Sequence, residues 1–335
     1  MPNEPSPISG HLPPRFLLAA AVLVFSACGF IGDPLPPLAN VPSRVTDLAA
    51  IQRGSRVIVQ FTVPAKTTEG HPIPQPLKLD LRAGAAEKFE ENRWAAQARQ
   101  FPAPPLTGPT ARYEIPASEW TGKEIIFGVR PVAGNGKQAP WSNFVVVPVV
   151  AAPEMPRSVL PTAVPKGVRL TWQARGPAFR VFRKIPDQEF ALLATVEKPE
   201  WLDTTTEFGQ PYVYLVQTVV TLADQKSAES DLSAEAPITP RDTFPPAAPA
   251  NLHPSVAPNS IELNWERNTE SDLAGYRVYR STSGGPFTKI ADVSVIPSYS
   301  DRSAEHGLSY RYSVTALDRS GNESPRSAAV EILMP

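Results

Sequence analysis

Cys28 is the only cysteine of the 335-residue chain, and it directly follows Phe25-Ser26-Ala27. One cysteine cannot close an intrachain disulfide. Its sulfur is left as a single thiol, buried and free or chemically modified. The four histidines, His11, His71, His253 and His306, stand in separate segments without the spacing of a metal site. The sequence contains no His-Glu-x-x-His, Gly-x-Ser-x-Gly, phosphate-loop or dinucleotide fingerprint. Carboxylates are plentiful, so a hydrolytic acid–base pair within residues 66–112 stays open, with solvated loop charges as the plainer reading. Ser271-Asp272-Leu273-Ala274-Gly275 and Asp318-Arg319-Ser320-Gly321-Asn322-Glu323 are rich in oxygen ligands. They lack the alternating ligands and terminal glutamate of an EF-hand loop and read as turns. The residues thus point to no catalytic centre, no metal and no cofactor.

The composition restricts the elements that could hold these residues. Proline accounts for 40 of 335 residues, against ordinary usage near ~5%. Each interior proline costs a helix roughly 3 kcal/mol, so a mainly helical protein is excluded and short strands with stiff turns are favoured. Lysine and arginine total 32 against 33 acidic residues, a net charge of −1. Such a balance gives no basic surface for nucleic acid.

Phe16 to Phe25 is an unbroken apolar run, FLLAAAVLVF. As a helix it would span about 15 Å, half of a hydrocarbon core, which suits a signal peptide and not a permanent membrane span. With Phe25-Ser26-Ala27-Cys28 it resembles a bacterial lipoprotein signal. The resemblance implies cleavage between Ala27 and Cys28, lipid attachment at Cys28 and a membrane anchor of two or three acyl chains. Glycine at position 29, where aspartate would favour inner-membrane retention, implies the outer membrane. Residues 1–27 are then a signal peptide. Residues 28–42, with Pro34, Pro36, Pro37 and Pro42, are an extended tether.

Beyond residue 43 a unit repeats. The last copy, 241–335, has Trp265 in SIELNWE, then GYRVYRS, SYSD and YRYSVTALD. The middle copy, 151–240, has Trp172 in VRLTWQ, then FRVFRK, EWLD and YVYLVQT. In both copies the aspartate precedes the first tyrosine of the last motif by nine residues, Asp203 to Tyr212 and Asp301 to Tyr310. Alternating apolar and polar residues with β-branched and aromatic enrichment predict a strand for each motif. These motifs resemble the fibronectin type III family. The resemblance implies an all-β chain of tandem immunoglobulin-like sandwiches, with Trp172 and Trp265 in the cores and Tyr212 and Tyr310 as tyrosine corners. Residues 43–150 read as a divergent third copy. Phe61 stands at the tryptophan position, Ile125 at the tyrosine-corner position, and Pro140-Trp141-Ser142 aligns with Pro325-Arg326-Ser327.

The expected function is non-catalytic: an envelope lipoprotein whose modules bind or space protein partners. The alternatives are carbohydrate or cell-wall recognition, and a hydrolase with its carboxylate pair in the first copy. Specificity is expected in the first copy, which carries 13 basic and 9 acidic residues over 41–150. Its candidate binding residues are Trp94, in a long proline-rich segment, and Trp141, which aligns with the solvent-type Arg326. Trp141 reads either as an exposed recognition aromatic or as a cap on the sandwich edge.

Overall fold

Period-two alternation sorts the third copy into two faces. Ile261 and Leu263 point inward with no measurable exposure, and Trp265 closes the same row. The computed structural model describes residues 39–73, 76–106 and 108–335. Residues 1–38, on which the expected signal peptide, Cys28 and most of the expected tether fall, lie outside the described residues. In the third copy, strands His253–Ala257, Ser260–Asn264 and Ser298–Asp301 form one antiparallel sheet. Thr288–Val293, Leu273–Thr282, Ser309–Asp318 and Val330–Leu333 form the other, in that spatial order. Trp265, Tyr276, Val278, Tyr312 and Val314 fill the space between them.

The second copy repeats the plan. Arg157–Val164, Gly167–Gln173 and Glu200–Asp203 face Ala191–Val196, Ala178–Lys184, Tyr212–Thr221 and Ala236–Ile238. So does the first: Ala49–Arg53, Arg56–Thr62 and Thr110–Pro116 face Arg99–Phe101, Lys78–Ala85, Glu124–Val132 and Val145–Pro148. The chain is all-β, built of fibronectin type III-like sandwiches with three strands on four.

The tyrosine hydroxyls and the buried aspartate of the second and third cores find matching partners. The Tyr212 hydroxyl accepts from the Glu207 N–H at 2.9 Å, and Tyr310 does the same with Glu305. Asp203, fully buried, accepts from Arg183 at 2.6 Å and from the Tyr214 hydroxyl at 2.9 Å. Asp301 repeats this with Arg280 and Tyr312 at 2.9 and 2.7 Å. In the first copy the strand register puts Ile115, Ala83 and Phe127 at these three positions, all buried. Acid, cation and phenol have been replaced together by apolar groups, which leaves no orphaned charge.

The joint between the first two copies is more than the proline spacer the sequence suggests. Strand Ala49–Arg53 pairs in parallel with Ser227–Glu229 of the second copy, which itself pairs with Tyr212–Thr221. One sheet therefore runs from Thr110–Pro116 across the joint to Ala191–Val196. Glu229 accepts from Arg53 at 3.0 Å and Arg180 at 2.5 Å, and Arg56 reaches Asp231 at 2.7 Å. The buried Gln52 side chain donates to the Val150 carbonyl at 2.8 Å and accepts from the Val150 N–H at 2.9 Å. Gly54 adopts φ +56°, which glycine holds without strain, and a Cβ there would stand 2.6 Å from an Asp231 carboxylate oxygen and push it aside.

Candidate functional site

A helix stands where the sequence predicts none. Residues 86–98 connect two strands of the first copy, and Glu91–Gln97 within them is helical. The Glu90 carboxylate caps it, accepting from the Asn92 and Arg93 N–H groups. Its one buried residue, Trp94, anchors it to the outer face of the four-stranded sheet. Gly84 makes room there, since a Cβ on it would lie 2.8 Å from Trp94 Nε1.

Trp94 and Trp141 meet on that outer face. Their rings are 5.2 Å apart and edge-on, and Phe144 lies 5.1 Å from Trp94. With Ile126 they form a second small core outside the sandwich. Of the two readings of Trp141, the burial fits the cap and not the exposed aromatic: it is 6% exposed, and Trp94, the other candidate binding residue, is 5% exposed. The reason lies in the cations. Arg130 lies 4.3 Å over the Trp141 ring and Arg82 5.6 Å from it, and Asp80 binds both guanidiniums at 2.9–3.0 Å. Arg82 also donates to the Ala95 carbonyl, tying the helix to the stack.

The third copy carries the same stack with its partners exchanged. Ser142 Oγ accepts from the Val129 N–H as Ser327 Oγ accepts from the Val314 N–H, which fixes Trp141 opposite Arg326. The same register sets Arg82 opposite Tyr279, and Arg326 lies 4.4 Å over the Tyr279 ring. A position held by an exposed arginine in one copy and a buried tryptophan in another is thus a stacking position in both.

Of the other residues singled out, Trp172, Trp265, Tyr212 and Tyr310 lie buried in their cores. Ala27 and Cys28 lie outside the described residues. Asp80, the buried carboxylate of segment 66–112, is bound by the two arginines. Burial alone would raise the Asp203 carboxyl. Bonds from the Thr205 side chain and backbone, then Tyr214 and Arg183, outweigh it and hold the carboxyl below the ordinary carboxylate range. Burial, reinforced by Asp203, pushes the Tyr214 hydroxyl up. Both are structural settings in a packed core.

The two oxygen-rich turns come together, which their spacing did not suggest. Carboxylate oxygens of Asp242, Asp272 and Asp318 all lie within 4.8 Å of one another. Asn322 donates to Asp318 at 2.8 Å and Ser320 to Asp242 at 2.8 Å. These are the described residues whose oxygens could hold a cation. Trp94, the candidate binding residue of the long segment, lines a cavity beside the helix. The cavity measures about 410 Å³ and is lined by Gly84, Glu87, Lys88, Phe89, Arg93 and Trp94, among others.

No protein-family profile matches the chain. Among curated proteins it is similar to exoglucanase B of Cellulomonas fimi, 26% identical over 190 residues. That stretch is 54% of this chain and 17% of the exoglucanase. It is also similar to an amylopullulanase of Thermoanaerobacterium thermosulfurigenes, 36% identical over 25% of this chain and 4% of that protein. Chitinase A1 of Niallia circulans is 30% identical over 32% of this chain and 15% of the chitinase. The chain thus spans less than a fifth of each of these relatives. Among solved structures, a Fn3-like protein from Clostridium thermocellum is 32% identical over 28% of this chain and 96% of its own, with a TM-score of 0.24. The FN1–FN3 domains of chicken CNTN1 align over 88% of this chain and 99% of theirs, at 15% identity and a TM-score of 0.29.

Proposed function

We propose that the chain is a non-catalytic cell-envelope lipoprotein, acylated at Cys28, whose sandwiches hold protein partners at a fixed spacing from the membrane. The observation that carries this reading is the sheet that continues from the first copy into the second. Gln52 pairs with Ala228 and Arg53 with Glu229, and the Glu229 carboxylate is clamped by two arginines. Ladder pairing and a part-buried ion cluster resist both bending and twisting at the joint, which a spacer needs and a flexible tether lacks. The second joint also has a contact across it: the rings of Phe208 in the second copy and Phe244 in the third lie 6.2 Å apart. The similarity to small fractions of an exoglucanase, an amylopullulanase and a chitinase supports an accessory role beside catalysis. Gly29 supports placement at the outer membrane.

Two measurements test this. Labelled palmitate should enter the wild type and not Cys28→Ser, and a soluble, unlabelled wild type would overturn the anchor. Spin labels on the first and second copies of the Cys28→Ser protein should give one narrow distance distribution. A broad distribution, as from a free linker, would overturn the spacer.

A further inference from the structure

We propose that the cavity between the Glu91–Gln97 helix and the end of strand Lys78–Ala85 binds one ring of a neutral oligosaccharide, stacked on Phe89. The cavity exists only because of the insertion. The second and third copies join the corresponding strands through residues 185–190 and 283–287, where the first copy uses residues 86–98. Strand Arg99–Phe101 pairs only as far as Ala83, so Gly84 and Ala85 form the floor of the cavity with no neighbouring strand on that side. The volume of about 410 Å³ falls within the ~300–1,000 Å³ of small-ligand pockets.

The lining selects the ligand. Phe89 is 40% exposed and is held edge-on against Phe144 at 4.8 Å, which presents a fixed apolar face. Glu87 and Glu90 balance Lys88 and Arg93 around the opening, so the cavity offers no net charge to draw an ion. Gln97 adds an amide that both donates and accepts. An aromatic wall beside a ring of mixed donors and acceptors matches a molecule with an apolar C–H face and hydroxyls at its edge, which is the chemistry of a pyranose. Trp94 Nε1 at the back is buried without a partner. Trp172 and Trp265 have the same unpaired donor, so the donor alone decides nothing. The assignment rests on the donor lying beside an exposed aromatic and a charge-balanced rim, in a cavity formed by the segment inserted in the first copy.

The test uses the full-length Cys28→Ser protein, so its result does not depend on anchoring or on inter-module stiffness. Cellohexaose, maltohexaose and chitohexaose are titrated by calorimetry and by tryptophan fluorescence. At least one should bind saturably. Phe89→Ala should weaken it at least tenfold and Glu87→Gln several-fold, each with an unchanged far-ultraviolet spectrum. If Phe89→Ala perturbs folding, the exposed Glu87→Gln still decides. Absence of saturable binding by all three sugars overturns the proposal. So does binding that is equal in wild type and in the folded variants.

Discussion

The Glu229 carboxylate of the second copy accepts from the Arg53 guanidinium of the first at 3.0 Å. The carboxylate side chain is 7% exposed and the guanidinium side chain 35%. Breaking a fully buried pair costs about 3–5 kcal/mol, and partial access of water to arginine lowers this to about 1–3 kcal/mol. Glu229→Ala should therefore destabilise the joined pair by about 1–3 kcal/mol in urea unfolding. A double-mutant cycle with Arg53→Ala should return a coupling of at least ~0.5 kcal/mol. Additive effects would mean that the two copies do not support each other through this contact.

The same relationship bears on deletion of residues 43–150. Removing the first copy strips strand Ser227–Glu229 of its parallel neighbour and leaves Glu229 with Arg180 and Gln217. The second copy should still fold but melt lower, by about 4–8 °C for each kcal/mol lost. Scanning calorimetry of the deleted chain measures this. A melting point equal to that in the full chain would show that the joint contributes no stability.

Strand motifs made the sandwiches legible in the sequence, because alternation records which side of a half-buried strand faces the core. The core places of Trp172 and Trp265 fit that alternation, and the tyrosine corners come from the resemblance to the fibronectin type III family. The outer face was not legible. Trp141 aligns with the exposed Arg326, and alignment alone leaves open whether Trp141 faces solvent or caps the edge. Only the side chains across the sheet reveal the stack: Arg82 and Arg130 for one, Tyr279 for the other. The helix escaped for a related reason. Seven residues carry too little periodicity to signal, and its stability comes from Trp94 seating over Gly84. The parallel pairing at the joint joins residues far apart in the chain, Gln52 and Ala228, and no local pattern encodes it.

The burial of Trp141 can be measured by truncation. Trp141→Ala removes a large buried ring and strands Arg82 and Arg130 without their aromatic partner, so it should cost about 3–5 kcal/mol. Arg326→Ala, at the equivalent position of the third copy, removes a partly exposed cation–π contact worth about 0.5–1 kcal/mol. Urea unfolding compares them, and equal small losses would return Trp141 to the surface.

Core truncations separate the two sandwiches of clearer pattern. Trp265 is 6% exposed and packs edge-on against Tyr276 at 5.1 Å, so Trp265→Ala should cost the third copy about 3–5 kcal/mol. Tyr310→Phe keeps the ring and deletes only the bond to the Glu305 N–H, for about 1 kcal/mol. Near-equal losses would mean that the hydroxyl, and not the packing, holds this end of the sandwich.

Acid should loosen the second and third copies through their buried aspartates. Burial raises the Asp301 carboxyl, but bonds from Tyr312, Ser303 and Arg280 outweigh it, so its folded pKa is lowered. Asp203 is lowered in the same way, with Thr205, Tyr214 and Arg183 as donors. A carboxyl of ordinary pKa near ~3.9 when unfolded then favours the folded state fully above that pH. The contribution disappears as pH falls from there through the lower folded value. Urea midpoints followed from pH 7 to pH 2 should fall below about pH 4. Asp301→Asn should lower the stability of the third copy at neutral pH and flatten its acid slope. The first copy holds Ile115 at this position and should lack that part of the slope. If Asp301→Asn leaves the acid slope unchanged, the carboxylate is not what couples this fold to pH.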